Sequence, residues 1–248
     1  MCIDSHKSKM FYSKRRAIIY PLDVPDTVEY SVYRANLEYG SKRNLGKIAV
    51  LELGCGTGRY FHLLSNVSTL VGVDISSAML ERANENLQTM SALSGCTRLI
   101  NSDFVNLQLH ELFDFIYSIG TLGEYCKFNS EIISKIIGWL KPSGFLFFTI
   151  VDADSYTIQY RQGIKDSFKK IINTVLEILP EHYRVTIGHR FLDTKDWKHL
   201  FMTKAQVEEV LENCSDNITY EISSARDAKH VHHICRVWLS NSPKKVSK

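Results

Sequence analysis

The stretch Val50-Leu51-Glu52-Leu53-Gly54-Cys55-Gly56-Thr57-Gly58 is an apolar run that ends in an acid and then in a loop with glycine at every second position. Preceded by Lys47-Ile48-Ala49 and followed by Arg59-Tyr60-Phe61-His62-Leu63-Leu64, it reads as strand, tight turn and helix. Glycine has no Cβ, so such a loop takes positive φ and brings its backbone close to a ligand, while the N–H groups of a following helix attract electron-rich atoms. A dinucleotide loop would carry glycines at its first, third and sixth positions. Here the sixth position is Arg59 and the last glycine falls at the fifth, Gly58. Glu52, two residues before the first glycine, would repel a pyrophosphate and suits a ligand with a positive group.

The segments around the loop decide the fold class. Upstream, Asp26 is a candidate N-cap for a helix from Thr27 to Tyr39 ended by Gly40, with Tyr30 and Tyr33 on it. Downstream, Thr69 to Asp74 reads as a second strand ending in an acid twenty residues beyond Gly54. An acid at that place can accept hydrogen bonds from two ribose hydroxyls. A helix opening at Ser76 or Ser77 puts Leu80, Ala83 and Leu87 on one face. Arg98 to Asn101 is a third strand leading into Ser102-Asp103-Phe104, and Phe113 to Ser118 a fourth running into Ile119-Gly120-Thr121. A helical stripe from Ser130 to Leu140 is stopped by Pro142 and Gly144, and Phe145 to Val151 is a strand apolar on both faces. Five strand–helix alternations predict a doubly wound α/β sheet, with right-handed crossovers gathering the strand ends on one side.

With these landmarks in order, residues 47 to 151 resemble the class I S-adenosylmethionine (SAM)-dependent methyltransferases, whose acid-x-Gly-x-Gly-x-Gly pattern is met by Glu52, Gly54, Gly56 and Gly58. The resemblance implies a Rossmann-like, mostly parallel seven-stranded sheet with SAM as cofactor. It implies Asp74 as the ribose-binding acid and Asp103 with Phe104 as the adenine contacts. Cys55, Ile75, Met79, Ser118 and Ile119 complete the implied cofactor set. Thr203 with Gln206 forms a capping box for a closing helix, followed by strands Ile218 to Ile222 and His233 to Leu239. The chain then divides into a basic tail and cap helix (1–46), a cofactor core (47–151), an inserted cap (152–201) and the end of the core (202–248), one domain overall.

Methyl transfer from a sulfonium is an in-line displacement, so most of the rate comes from holding the nucleophile at attack distance. A base is needed only when the acceptor must lose a proton, and His189, Tyr156 and Glu124 are the candidates, with His199 and Tyr125 beside them. His230 and His232 would share a face of the last strand, but no third ligand has a recognisable spacing, so no metal is expected. No Asn/Asp-Pro-Pro-aromatic segment follows the fourth strand and no Pro-Cys nucleophile appears there, which argues against DNA methylation.

A net charge of +3 is too small to call for nucleic acid, and the longest apolar run, Phe145 to Val151, falls far short of the ~20 residues that cross a bilayer. Six scattered cysteines without C-x-x-C spacing, and polar, basic first residues, point to a reducing cytoplasm. The favoured reading is methylation of an oxygen or nitrogen on a small molecule, with the insert and the helix of residues 27–39 closing over the acceptor. The alternatives are a protein or RNA methyltransferase, its basic termini gripping the acceptor, and a non-catalytic partner subunit.

Overall fold

A computed structural model describes residues 17–18, 20–22, 24, 28–154, 200–214, 217–226 and 231–240. Seven strands form one sheet in the order β3-β2-β1-β4-β5-β7-β6. They are β1 (Ile48–Leu53), β2 (Val67–Asp74), β3 (Thr97–Asn101), β4 (Phe113–Ser118), β5 (Leu140–Val151), β6 (Ile218–Arg226) and β7 (Val231–Leu239). The first five pair in parallel, while β7 runs antiparallel between β5 and β6. The order reverses at β1, whose neighbours are β2 and β4, so a crevice opens between the ends of those strands.

Side chains alternate along each central strand and build two cores. One face carries Leu51, Leu53, Ile116, Leu146, Phe148 and Ile150 against the helices α4 (Ser130–Ile137) and α5 (Lys204–Glu212). The other carries Val50, Phe115, Tyr117, Phe145 and Phe147 against α1 (Val28–Lys42) and α2 (Ser77–Gln88). A parallel sheet covered on both sides explains why β5 reads as an unbroken apolar run. At the opposite end of the sheet from the crevice, the Asp114 carboxylate accepts from Ala49 N and Lys141 Nζ, both at 2.8 Å, and ties β1, β4 and β5 together.

Several boundaries differ from the sequence reading. α1 passes straight through Gly40 instead of stopping there, because Gly40 lies over the buried Phe115 ring, where a Cβ would come within 2.5 Å. The glycine acts as a contact point between helix and sheet and not as a cap. Asp26, the expected N-cap, lies outside the described residues.

The helix expected after the glycine loop is a single 3-10 turn, Phe61–Leu63, because β2 already begins at Val67 and leaves no chain for more. α4 ends at Ile137, not Leu140, since Leu140 pairs with Phe113 as the first residue of β5. Residues 102–112, between β3 and β4, contain no helix, so the alternation is less regular than predicted. The short α3 (Ser91–Ser94) precedes β3.

The last strands are longer than their apolar cores suggest, and the Thr203–Gln206 capping box is present as expected. Among the described residues no helix is long and apolar enough to cross a membrane. The inserted segment lies outside the described residues apart from 152–154 and 200–201.

Candidate functional site

A cavity of about 290 Å³ opens at the carboxyl ends of β1, β2 and β4, where the reversal of strand order places it. Its floor is the glycine loop. Gly54 N and Cys55 N donate to Val73 O at 2.8 and 3.0 Å, holding the loop against β2, and Gly58 N donates to Cys55 O at 2.9 Å. Gly54, Gly56 and Gly58 all have positive φ. A Cβ on Gly54 would collide with Thr121, and one on Gly58 would lie 2.5 Å from the Phe61 ring, whereas one on Gly56 would meet nothing within 4 Å. The loop is therefore packed underneath at its two outer glycines and open over the middle one.

Asp74, at the end of β2, accepts from Gly56 N through one carboxylate oxygen and from Ser76 N through the other, each at 2.8 Å. Burial pushes its pKa up to about 6 against the pull of the backbone donors Ser76, Gly56 and Ile75. Its backbone oxygen accepts from Ser102 N at 3.0 Å, which brings the segment with Asp103 and Phe104 alongside. Glu52 is 1% exposed and accepts from the Tyr117 hydroxyl at 2.8 Å. Burial raises its pKa well above the usual carboxyl range, with Tyr117 and Arg59 opposing and Asp74 adding to the rise. The Cys55 thiol is likewise pushed up by burial and then by the Asp74 and Glu52 charges, which disfavours its thiolate form.

Of the residues singled out from the sequence, Tyr30, Tyr33, Glu52, Gly54, Cys55, Gly56, Asp74, Ile75, Met79, Asp103, Phe104, Ile119, Glu124 and Tyr125 line this cavity. Gly58 and Ser118 do not. Gly58 turns the chain beneath the loop, and the Ser118 hydroxyl donates to Leu53 O at 2.9 Å, clamping β4 to β1. His189 and Tyr156 lie outside the described residues, as do His199 and His230. His233 faces away from the cavity lining, its Nε2 at 3.1 Å from Met202 O and 3.4 Å from Asp152 Oδ1.

Other lining residues had little or no signal in the sequence. Tyr20 comes from a segment tied down by Thr57 Oγ1 donating to Pro21 O and Asn86 Nδ2 donating to Leu22 O. Arg59 lies over the rings of Tyr30 and Tyr60, at 5.3 and 5.4 Å from their centroids. His232, weighed from sequence only as a metal ligand, enters the cavity wall from β7. Its place depends on a strand pairing of His232 with Val151 that no local pattern encodes.

Sheet order, crevice and glycine loop define a nucleotide-cofactor-binding α/β protein of the doubly wound kind. Residues 50–144 match the family described as "Methyltransferase domain". Malonyl-[acyl-carrier protein] O-methyltransferase of Bacillus anthracis is 24% identical over 198 residues, which cover 79% of this chain and 66% of that protein. The enzyme of the same name from Priestia megaterium is 34% identical over 106 residues, 42% of this chain and 36% of that one. The chain thus spans less than two thirds of these curated relatives.

Among solved structures, magnesium protoporphyrin IX methyltransferase from Synechocystis PCC 6803 with bound SAH superposes with a TM-score of 0.60 at 15% identity, covering 96% of this chain and 100% of that one. The N-methyltransferase NodS from Bradyrhizobium japonicum WM9, in complex with S-adenosyl-l-homocysteine (SAH), gives 0.59 at 16%, covering 93% and 98%. Those two likenesses speak to the fold. Residues 50–144 are thus similar to a methyltransferase domain, and the sheet has the Rossmann-like architecture of the solved methyltransferases.

Proposed function

We propose that the protein is an enzyme that transfers the methyl group of SAM to an oxygen or nitrogen of a small-molecule acceptor. The observation that carries this reading is the open cradle over Gly56. Its backbone N–H is fixed on Asp74, its φ is positive, and the space a Cβ would fill is empty. When bound, SAM supplies a methyl group made electrophilic by a sulfonium. In this reading Asp74, held by two backbone donors, presents its carboxylate to ribose hydroxyls, while Asp103 and Phe104 flank the adenine. Glu52 is a carboxyl whose burial resists ionisation until a cationic group meets it, which suits the amino end of the cofactor. Cys55, Ile75, Met79 and Ile119 close the remaining walls, and Gly58 and Ser118 support the loop and β4 from behind.

The acceptor end is lined by Tyr30 and Tyr33 of α1, by Glu124 and Tyr125 in the turn after β4, and by His232 of β7. A small, partly aromatic recess of this kind fits a small molecule better than a polymer. We further propose that residues 152–201, rooted at the end of β5 beside the cavity, close over the acceptor, and that His189 and Tyr156 belong to that lid. The five described cysteines are all free, in keeping with work in a reducing cytoplasm.

Calorimetry with SAH tests the reading directly, since no heat of binding by a folded sample would end it. Asp74→Ala should cost about 1.5 to 3 kcal/mol of SAH affinity, the scale of hydrogen bonds to a charged group.

A further inference from the structure

We propose that His232, backed by Glu124, is the proton acceptor of this site, and that the substrate therefore presents a hydroxyl or an amine and not a carboxylate. The inference rests on the cofactor reading above and adds to it a residue and a substrate class. His232 and Glu124 reach the cavity from separate elements, one from the start of β7 and the other from the turn after β4. His232 Nδ1 lies 3.9 Å from Glu124 Oε1, and the two side chains are only 10% and 17% exposed. That separation is too long for a hydrogen bond but within ion-pair reach once the imidazole gains a proton. A carboxylate so placed, shielded from water, stabilises an imidazolium next to it and makes the ring a better base.

The turn that carries Glu124 is built for position. Tyr125 N and Cys126 N both donate to Thr121 O, at 2.9 and 3.1 Å, and Gly123 N donates back to Cys126 O at 2.8 Å. The Tyr33 ring stands edge-on to the imidazole, 6.4 Å between centroids, and limits how far it can turn. The other ionisable groups facing the cavity are Glu52, Cys55, Asp74 and Asp103 along the loop and strand ends, Tyr20, Tyr30 and Tyr33 on the α1 side, Tyr60 and Arg59 after the loop, and Tyr125 and Cys126 beside Glu124. Arg59 is engaged over Tyr30 and Tyr60 and acts on Glu52, so it belongs with the cofactor end.

A carboxylate acceptor would approach Glu124 against like charge. It would also leave the imidazole idle, because an ionised carboxylate is already a nucleophile. A hydroxyl or ammonium group has a proton to lose. Its O–H or N–H bond breaks with the proton passing to the His232 imidazole, and the freed electron pair forms the bond to the methyl carbon. The carbon–sulfur bond breaks with its pair kept by sulfur, which becomes a neutral thioether.

The test uses the full chain and three probes of similar size: phenol, benzylamine and benzoate. The His232 imidazole resonances, assigned by comparison with His232→Gln, are followed by NMR in the SAH-saturated protein as each probe is added. Phenol or benzylamine should move them while benzoate leaves them in place, and Glu124→Gln should let benzoate in. A response to benzoate alone, or to none of the three, overturns the proposal. Once labelled-methyl transfer has identified a product, it should be an ether or a methylamine. His232→Gln should then lose about 100-fold or more in turnover with SAH affinity unchanged. A methyl ester as product, or full turnover in His232→Gln, overturns it as well. Failure of the wild type to bind SAH would instead end the cofactor reading, and calorimetry on the same samples separates the two.

Discussion

Gly54 and Gly56 share a left-handed backbone but differ in what stands above them. Alanine at Gly54 meets both the positive φ and the Thr121 side chain. We expect a loss of about 2 to 5 kcal/mol from strain and overpacking together. Alanine at Gly56 meets only the backbone penalty of about 1 to 2 kcal/mol, but its methyl fills the cradle. Urea unfolding should therefore rank Gly54→Ala as the less stable, while calorimetry should find SAH binding impaired in a Gly56→Ala protein that is still folded. Asp74 leads to a pH prediction. Its carboxyl is raised to about 6, so the charged form that accepts ribose hydroxyls is lost as pH falls through that value. SAH affinity should decline as pH falls below about 6, and Asp74→Asn should flatten that part of the profile.

At this scale the site is unevenly legible in the sequence. Glu52, the glycines and Asp74 are local, because a loop and the ends of the strands beside it announce themselves by residue type and spacing. His232 is not local: it is one histidine among three near each other, and only its pairing with Val151 brings it to the cavity.

Among the elements, α1 shows where a local rule gave the wrong answer. Glycine is the usual sign of a helix end, yet Gly40 sits inside α1 because the helix must lie close to Phe115, which is fully buried and stacked between Tyr117 and Phe145. Gly40→Ala should gain about 1 kcal/mol of helix propensity and lose about 1 to 3 kcal/mol to overpacking. We expect a lower urea midpoint overall. A midpoint above wild type would mean that α1 can lift from the sheet at no cost.

Tyr33 stands about two turns before Gly40 on the same face of α1, so the closeness of helix to sheet bears on where its ring lies. α1 is also held to β7 by Arg236 Nε donating to Asn36 Oδ1 at 2.6 Å. The strands were legible wherever they are apolar, and their ends were not: Leu140 reads equally well as the last position of a helical stripe and the first of a strand. Its pairing with Phe113 decides for the strand.

For the molecule as a whole, cofactor binding and folding should be linked, since the cradle joins β1, β2 and the segment after β3. SAH at about 100 times its dissociation constant should add about 2.7 kcal/mol, and so raise the thermal midpoint by about 5 to 11 °C. No shift at saturation would contradict a site built across three strands.

The placement of β7 has a consequence in time. During synthesis β5 is complete at Val151, but the strand that covers its outer edge begins only at Val231. Throughout that interval an apolar strand, Phe145 to Val151, stands at the rim of a growing sheet with its backbone unpaired on one side, the feature that most invites wrong partners. The nascent chain thus acquires a cofactor cradle before it acquires His232. Until β7 slots in, it is both the stickiest and the least competent form of the protein.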